Sequence, residues 1–288
     1  MDFRTLDTIS VEQILEAHND AFSEYEVPME FPIERFEQIN KLRGVNYNLS
    51  IGAFEDQKLV GFILNGVGEW NGVLTAYDCG TGVIQGKQGK GIGGEMFKHL
   101  TPILIQNKVR QYLLEVMKGN EPAIRLYKGK GFEVIRHFDC IIAEKEKIKF
   151  NIPDSDFLKK LNFSIITNPD WKLLKTFWDV TPSWQNSIDS IERLPNSFKI
   201  MTVSLSTEII GYGVIEPRSG GILQIAIAPT HRKKKVGSKL LQKLIELSPN
   251  TPRIHLINLD ESSKCSKYFF TQMGFESFSP QFEMSLNF

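Results

Sequence analysis

The stretch Val83-Ile-Gln-Gly-Lys-Gln-Gly-Lys-Gly-Ile-Gly93 decides how this chain folds. It follows a strand-like run and precedes an amphipathic helix, and Gln88, Gly91 and Gly93 fit a Gln/Arg-x-x-Gly-x-Gly/Ala pattern. A glycine-rich loop in that place lets several backbone N–H groups converge at a helix N-terminus, whose partial positive charge favours phosphate. Two other readings stay open on the loop alone. Gly89-x-Gly91-x-x-Gly94 also fits a dinucleotide fingerprint, but that fingerprint belongs after the first strand of a βαβ unit. Here about four strand-like and two helical segments come first. The third reading is a tight turn that holds no ligand.

Downstream, Leu114-Glu-Val-Met-Lys-Gly-Asn-Glu-Pro-Ala-Ile-Arg-Leu-Tyr-Lys-Gly-Lys-Gly-Phe132 reads as strand, cap and helix. Asn120 is a good N-cap, Pro122 is tolerated in the first turn, and Gly129 or Gly131 stops the helix. Ala123, Leu126 and Tyr127 then share one helix face by their i, i+3, i+4 spacing. The two stretches together resemble motifs A and B of the GNAT superfamily of N-acetyltransferases. Within it the first half is most similar to enzymes that acetylate the N-terminal alanine of a ribosomal protein. Their Leu-Glu-Val-x-x-x-Asn-x-x-Ala-x-x-x-Tyr pattern is matched by Leu114, Glu115, Val116, Asn120, Ala123 and Tyr127.

Composition is permissive. The 288 residues carry 34 basic and 34 acidic side chains, so net charge exerts no pull toward nucleic acid or an anionic membrane. The start, Met-Asp-Phe-Arg-Thr, has no apolar targeting core, and no run approaches a membrane span. Cys79, Cys140 and Cys265 are scattered and form neither zinc spacing nor a disulfide framework, so a cytoplasmic protein without a metal is expected.

A repeat sets the architecture. Leu223-Gln-Ile-Ala-Ile-Ala-Pro-Thr-His-Arg-Lys-Lys-Lys-Val-Gly237 aligns with the first glycine-rich loop, and Ile257 to Phe275 aligns with motif B. A repeat this long is a whole domain in tandem, since solenoid units run only about 20–50 residues. The expected fold is α/β: two tandem GNAT folds, each a mixed, splayed sheet flanked by helices. The expected domains are residues 1–148, catalytic, and 149–288, degenerate, with Glu144–Asp156 as linker. In the first copy strands are expected at Asp2–Leu6, Leu49–Phe54, Leu59–Asn65, Leu74–Val83 and Tyr112–Met117, then a terminal pair. Its helices are expected at Val11–Phe22, Ile33–Leu42, Gly91–Asn107 and Asn120–Lys130. The second copy replaces the chemistry: Gly91 becomes Lys235, Glu115 becomes Asn258, Asn120 becomes Ser263 and Tyr127 becomes Phe270.

The resemblance implies roles. Val83, Gln88, Gly89, Lys90, Gly91, Ile92 and Gly93 would hold the pyrophosphate of acetyl-CoA, and Asn120 would touch its pantetheine arm. That arm lies between splayed strands in this family, and Gly80 and Gly82 suggest a bulge that frees backbone groups for it. Glu115 stands where the family places its base, with Asp78 and Glu69 as rivals. Tyr127 would stand beside the thioester sulfur. A base matters because a lysine-like amine is neutral at pH 7 only at a cost of roughly 4.6 kcal/mol, against about 1.4 kcal/mol for an α-amine. A phenol is a weaker acid than a thiol, so partial donation to the developing thiolate is the expected role of Tyr127.

The implied activity is acetyl transfer to a primary amine by direct attack in a ternary complex. Transfer of another acyl group and a non-catalytic acyl-CoA sensor are the alternatives. The acceptor would be a small molecule or a peptide. Asp20, Glu24, Glu26 and Glu30 among Phe22, Tyr25 and Phe31 would suit a cationic one through charge and cation–π contact. Oligomeric state is not legible.

Overall fold

A computed structural model describes residues 1–24 and 30–288, and these fall into two compact units. The first comprises Met1–Ile135 with Phe282–Phe288, and the second Arg136–Gln281. Thus the contact-defined division differs from a cut at 148/149. The strand Glu133–Glu144 belongs mostly to the second unit, and the chain's last strand belongs to the first.

In chain order the first part runs β1 (Asp2–Thr5), α1 (Val11–Ala21), α2 (Ile33–Arg43), β2 (Ile51–Glu55), β3 (Lys58–Trp70) and β4 (Val73–Val83). It continues through α3 (Ile92–Gln106), β5 (Gln111–Met117), α4 (Glu121–Gly129) and β6 (Glu133–Glu144). The second part runs α5 (Asp156–Lys159), β7 (Leu161–Ile166), α6 (Trp171–Lys175), α7 (Ile188–Arg193), β8 (Lys199–Leu205) and β9 (Glu208–Glu216). It ends with β10 (Gly221–Ile227), α8 (Val236–Glu246), β11 (Arg253–Asp260), α9 (Lys264–Met273), β12 (Glu276–Ser277) and β13 (Gln281–Asn287).

The first unit's strands lie in the order β1-β2-β3-β4-β5-β13. Only β4 and β5 among the pairs from β1 to β5 are parallel, which α3 makes possible as the crossover. The second unit repeats the plan as β7-β8-β9-β10-β11-β6, again with one parallel pair, β10–β11, joined through α8. Each sheet is mixed and helix-flanked, as expected.

Local chemistry fixes the boundaries. Ser10 caps α1 by accepting from Gln13 N, and Gly44 closes α2 in the left-handed region at φ 75°. The β3–β4 hairpin is longer than the expected Leu59–Asn65 and Leu74–Val83 segments. It turns at Asn71-Gly72, with φ of 51° and 80°, a pair suited to a two-residue hairpin loop. The expected terminal strand pair of the first copy is instead the single twelve-residue strand β6. In the second copy α6 stops at Lys175, and a 3-10 turn at Trp184–Asn186 precedes α7. Among the described residues no helix is long and apolar enough to cross a membrane.

His18 shows how tightly the first unit is filled. It is 5% exposed on α1, with ring centroids at 4.8 Å from Phe22, 5.5 Å from Phe31, 5.1 Å from Phe36 and 5.9 Å from Phe62. Burial lowers its pKa to about 4; the Asn19 hydrogen bond opposes that shift and the Arg43 charge adds to it. A base whose folded pKa lies below its unfolded value contributes stability above the unfolded pKa and loses it as pH falls. The loss runs from about pH 6.5 to about pH 4. Between pH 7 and pH 4.5, His18→Phe should therefore gain about 2.5 kcal/mol relative to the native chain in urea unfolding. A gap between the two proteins that stays constant with pH would show that His18 does not stay neutral in the fold.

Candidate active site

The Val83–Gly93 loop joins the end of β4 to the start of α3. Gly86, Gly89 and Gly91 all take positive φ, at 74°, 74° and 78°. A Cβ on any of these three would meet no protein atom within 4 Å beyond its own chain neighbours, so each position borders open space. Gly91 is the N-cap of α3 and no side chain caps it, which leaves first-turn amides available to an anion. The side chains turn inward: Gln88 Nε2 donates to Val83 O at 3.1 Å, and Lys90 Nζ to Gly86 O at 3.0 Å. Ile92 is buried, so it can offer only its main chain. Gly93 differs from Gly91. Its φ is not positive, and a Cβ there would lie 3.3 Å from Leu126 Cδ2, so its smallness serves the packing of α3 against α4.

Just before this loop the sheet opens. β4 and β5 pair only at Thr75↔Gln111, Ala76↔Tyr112 and Tyr77↔Leu113, whereas β4 stays paired with β3 up to Val83. The β3–β4 register also shifts between Leu64↔Gly80 and Asn65↔Asp78, leaving Cys79 as the extra residue of a bulge. The bulge lies next to Gly80, and buried Cys79 sits within the strand as a core thiol.

Asp78 and Tyr127 meet beside this opening. The Tyr127 hydroxyl donates to Asp78 Oδ2 at 3.2 Å. Thr81 Oγ1 donates to the same oxygen at 2.7 Å, and Gly80 N to Oδ1 at 2.9 Å. Burial nevertheless pushes the Asp78 carboxyl above the ordinary carboxylate value, against these three hydrogen bonds and the Arg43 charge. The Tyr127 ring is held edge-on to Phe97, at 5.9 Å, and tilted against Phe132, at 5.6 Å. Asn120 caps α4 by accepting from Ala123 N at 3.1 Å, and so sets the helix phase that delivers Tyr127.

Glu115 lies elsewhere on β5. Alternate strand residues face opposite ways. Tyr112 packs with Phe97 and Phe132 on the Tyr127 side, so Glu115 takes the other face. There it is half-buried and accepts a hydrogen bond from the Tyr77 hydroxyl. Glu69 pairs with Leu74 next to the Asn71-Gly72 turn, at the opposite end of β4 from the loop, and is exposed. Thr81, Tyr77 and Gly86 had no distinguishing signal in sequence. Their roles follow from the bulge and from the loop's third left-handed residue.

The α1–α2 connection is tied to the loop. Asp20 Oδ1 accepts from Gln85 N at 2.7 Å, so this carboxylate anchors the loop. Asn19 bonds both the N–H and the carbonyl of Phe31, each at 3.2 Å. Glu24 and Glu30 are exposed, while Tyr25 and Glu26 lie outside the described residues.

Two models of one family match the chain. The acetyltransferase (GNAT) family matches residues 11–132, and the acetyltransferase (GNAT) domain matches residues 198–277. The chain belongs to the GNAT acetyltransferases. It is a tandem member and, by family, an N-acetyltransferase that uses an acyl-CoA donor. No curated protein sequence matches it.

Among solved structures this GNAT chain is similar to a tandem GNAT protein from the clavulanic acid biosynthesis pathway. The TM-score is 0.75 at 12% identity, covering 99% of this chain and 98% of the other. It is also similar to a putative acetyltransferase from Pyrococcus horikoshii, with a TM-score of 0.69 at 17% identity over 100% and 89% of the two chains. At these identities the likeness establishes the fold. A ribosomal-protein alanine N-acetyltransferase from Escherichia coli aligns with 54% of this chain and 85% of its own, at 19% identity. Its TM-score of 0.39 carries no argument about the acceptor.

Proposed function

We propose that the first unit moves the acetyl group of acetyl-CoA to a primary amine by direct attack in a ternary complex. The observation that carries this reading is the Tyr127–Asp78–Thr81 cluster beside the parting of β4 and β5. The left-handed glycines 86, 89 and 91 support a pyrophosphate cradle at the head of α3, built from main-chain amides and not from the Gln88 or Lys90 side chains. The gap beyond Tyr77↔Leu113 leaves two strand edges to receive the pantetheine arm.

In the reaction the amine nitrogen forms a bond to the carbonyl carbon as the carbon–sulfur bond breaks. Tyr127 donates its hydroxyl hydrogen toward the departing sulfur. Asp78, whose Oδ2 accepts from the phenol, is the group placed to exchange a proton with it. Glu115, on the other face of β5, takes the proton that the amine must lose, directly or through water. On this reading Asp78 is the partner of Tyr127 and Glu115 is the base. The acceptor is a small-molecule or peptide amine, reached from the cytoplasm.

Release of free thiol from acetyl-CoA across a panel of amines tests the reading. Glu115→Gln should lower kcat/KM by about 10²-fold and remove the acidic limb of its pH profile, since Gln still accepts from Tyr77 but cannot bind the proton. An intact acidic limb in Glu115→Gln, lost instead in Asp78→Asn, would transfer the base role to Asp78. Absence of turnover with every amine, despite acetyl-CoA binding, would make the first unit a sensor.

A further inference from the structure

The Asp78–Tyr127 pair depends on a bulge, and the bulge is held by a helix from outside the sheet. At Cys79, the extra residue, the β3–β4 ladder is interrupted, and a buried carbonyl there needs a partner. Arg43, the last residue of α2, supplies one: its Nη1 donates to Cys79 O at 2.7 Å. A guanidinium donor makes this a charge-assisted bond, stronger than a ladder bond between neutral amides. The same positive charge opposes the effect of burial on the neighbouring Asp78 carboxyl.

The end of α2 is pinned against β3 at that place. Val45 bridges to Gly66, Val67 N donates to Gly44 O at 3.3 Å, and Asn46 N donates to Asn65 O at 2.8 Å. A Cβ at Gly66 would lie 2.2 Å from Arg43 O and 3.3 Å from Cys79 Sγ. The first of these contacts is with backbone, which cannot swing aside, so glycine is what lets the helix end approach the bulge. Gly66 pairs with Tyr77, one step from the Asn65↔Asp78 pair. Helix end, bulge and carboxyl are therefore fixed to one another within a few residues.

The second unit offers an internal comparison. Its β9–β10 register shifts in the same way, between Ile215↔Ile222 and Val214↔Gln224, with Leu223 as the extra residue. Ile222 stands where the first unit has Asp78, and the arginine that ends α7, Arg193, lies over the Trp184 ring at 5.7 Å. The bulge thus belongs to the fold that both units share, and the carboxyl beside it distinguishes the first.

We infer that Arg43 is a positioning residue for the first unit: by holding the Cys79 carbonyl it keeps the Asp78 carboxyl turned to the Tyr127 hydroxyl, and it acts through that pair. The inference rests on the acetyl transfer proposed for this unit, with Tyr127 as the donor to sulfur.

Arg43→Met in the full-length chain keeps the length of the side chain and removes its charge and donors. Exchange of the Gly80 amide, which donates to Asp78 Oδ1 at 2.9 Å, should then quicken at least about 10-fold by NMR. Exchange at Leu113 and Leu114 of β5 should change by less than about 2-fold. In thiol-release assays kcat should fall at least about 10-fold, with KM for acetyl-CoA within about 3-fold of native. In the Tyr127→Phe background the same substitution should cost less than about 2-fold, because the hydroxyl that it serves is gone. Arg43→Lys keeps the charge with a single point of donation and should recover at least about 3-fold in kcat. Should Arg43→Met not fold, Arg43→Lys carries the same comparisons with smaller changes. Unaltered Gly80 exchange would overturn the inference, as would acceleration that spreads equally through β5. An equal loss of kcat with and without the Tyr127 hydroxyl would overturn it too. A native chain that acetylates no amine would sink the proposed activity, and Gly80 exchange, which needs no turnover, would still decide what Arg43 holds.

Discussion

Tyr127→Phe will lower kcat by at least about 10-fold, and by up to about 10⁴-fold if donation to sulfur is the main help the thiolate receives. The ring is 7% exposed and is held by Phe97 and Phe132, contacts that phenylalanine keeps. Binding of acetyl-CoA should change little, because the glycine-rich loop and the strand edges are untouched. The variant also withdraws one of the donors to Asp78, leaving Thr81 Oγ1 and Gly80 N. The Asp78 carboxyl should then titrate higher still, since hydrogen bonds to the charged form are what oppose its burial. The measurements are steady-state kcat and KM for acetyl-CoA, together with the pH profile of kcat. An unchanged kcat would take Tyr127 out of the mechanism and leave its hydroxyl as a partner for Asp78 alone.

That cluster also marks how far the sequence could be read. The helix carrying Tyr127 was legible because Asn120, Pro122 and Gly131 punctuate it and the i, i+3, i+4 spacing orients it. The fold and its duplication were legible because the glycine-rich loop and motif B both recur, at offsets of 144 (Gly93 to Gly237) and 143 (Gly131 to Gly274). The pairing of Tyr127 with Asp78 was not. It depends on a bulge at Cys79 that resets which β4 residues face α3 and α4, and a bulge has no periodic signature. Similarly, Gly91 and Gly93 were equivalent letters in one motif, yet one adopts φ 78° and the other only makes room for Leu126. The exchange of the last strand between halves was invisible for a different reason. Both β6 and β13 carry a continuous buried run and no alternation that would single out a partner strand, so their pairing is set by tertiary contacts that local pattern does not encode.

Substituting Gly91 by valine should raise KM for acetyl-CoA by at least about 10-fold, equivalent to about 1.4 kcal/mol of lost binding, while kcat at saturation stays within a few-fold. Two effects act together. A residue with a Cβ at φ 78° costs roughly 1–2 kcal/mol, more for a β-branched one, and the side chain fills space beside the loop where an added Cβ meets no protein atom within 4 Å. The chain contains its own control for folding. The corresponding turn of the second unit carries Lys235 at φ 63°, so this loop geometry tolerates a side chain at the cap. A change in acetyl-CoA binding can then be separated from general unfolding by measuring the urea midpoint alongside KM. The expectation is a modest fall in midpoint and a large rise in KM. A fall in midpoint with KM unchanged would mean that the loop only turns the chain, and that the donor's phosphates are held by other groups.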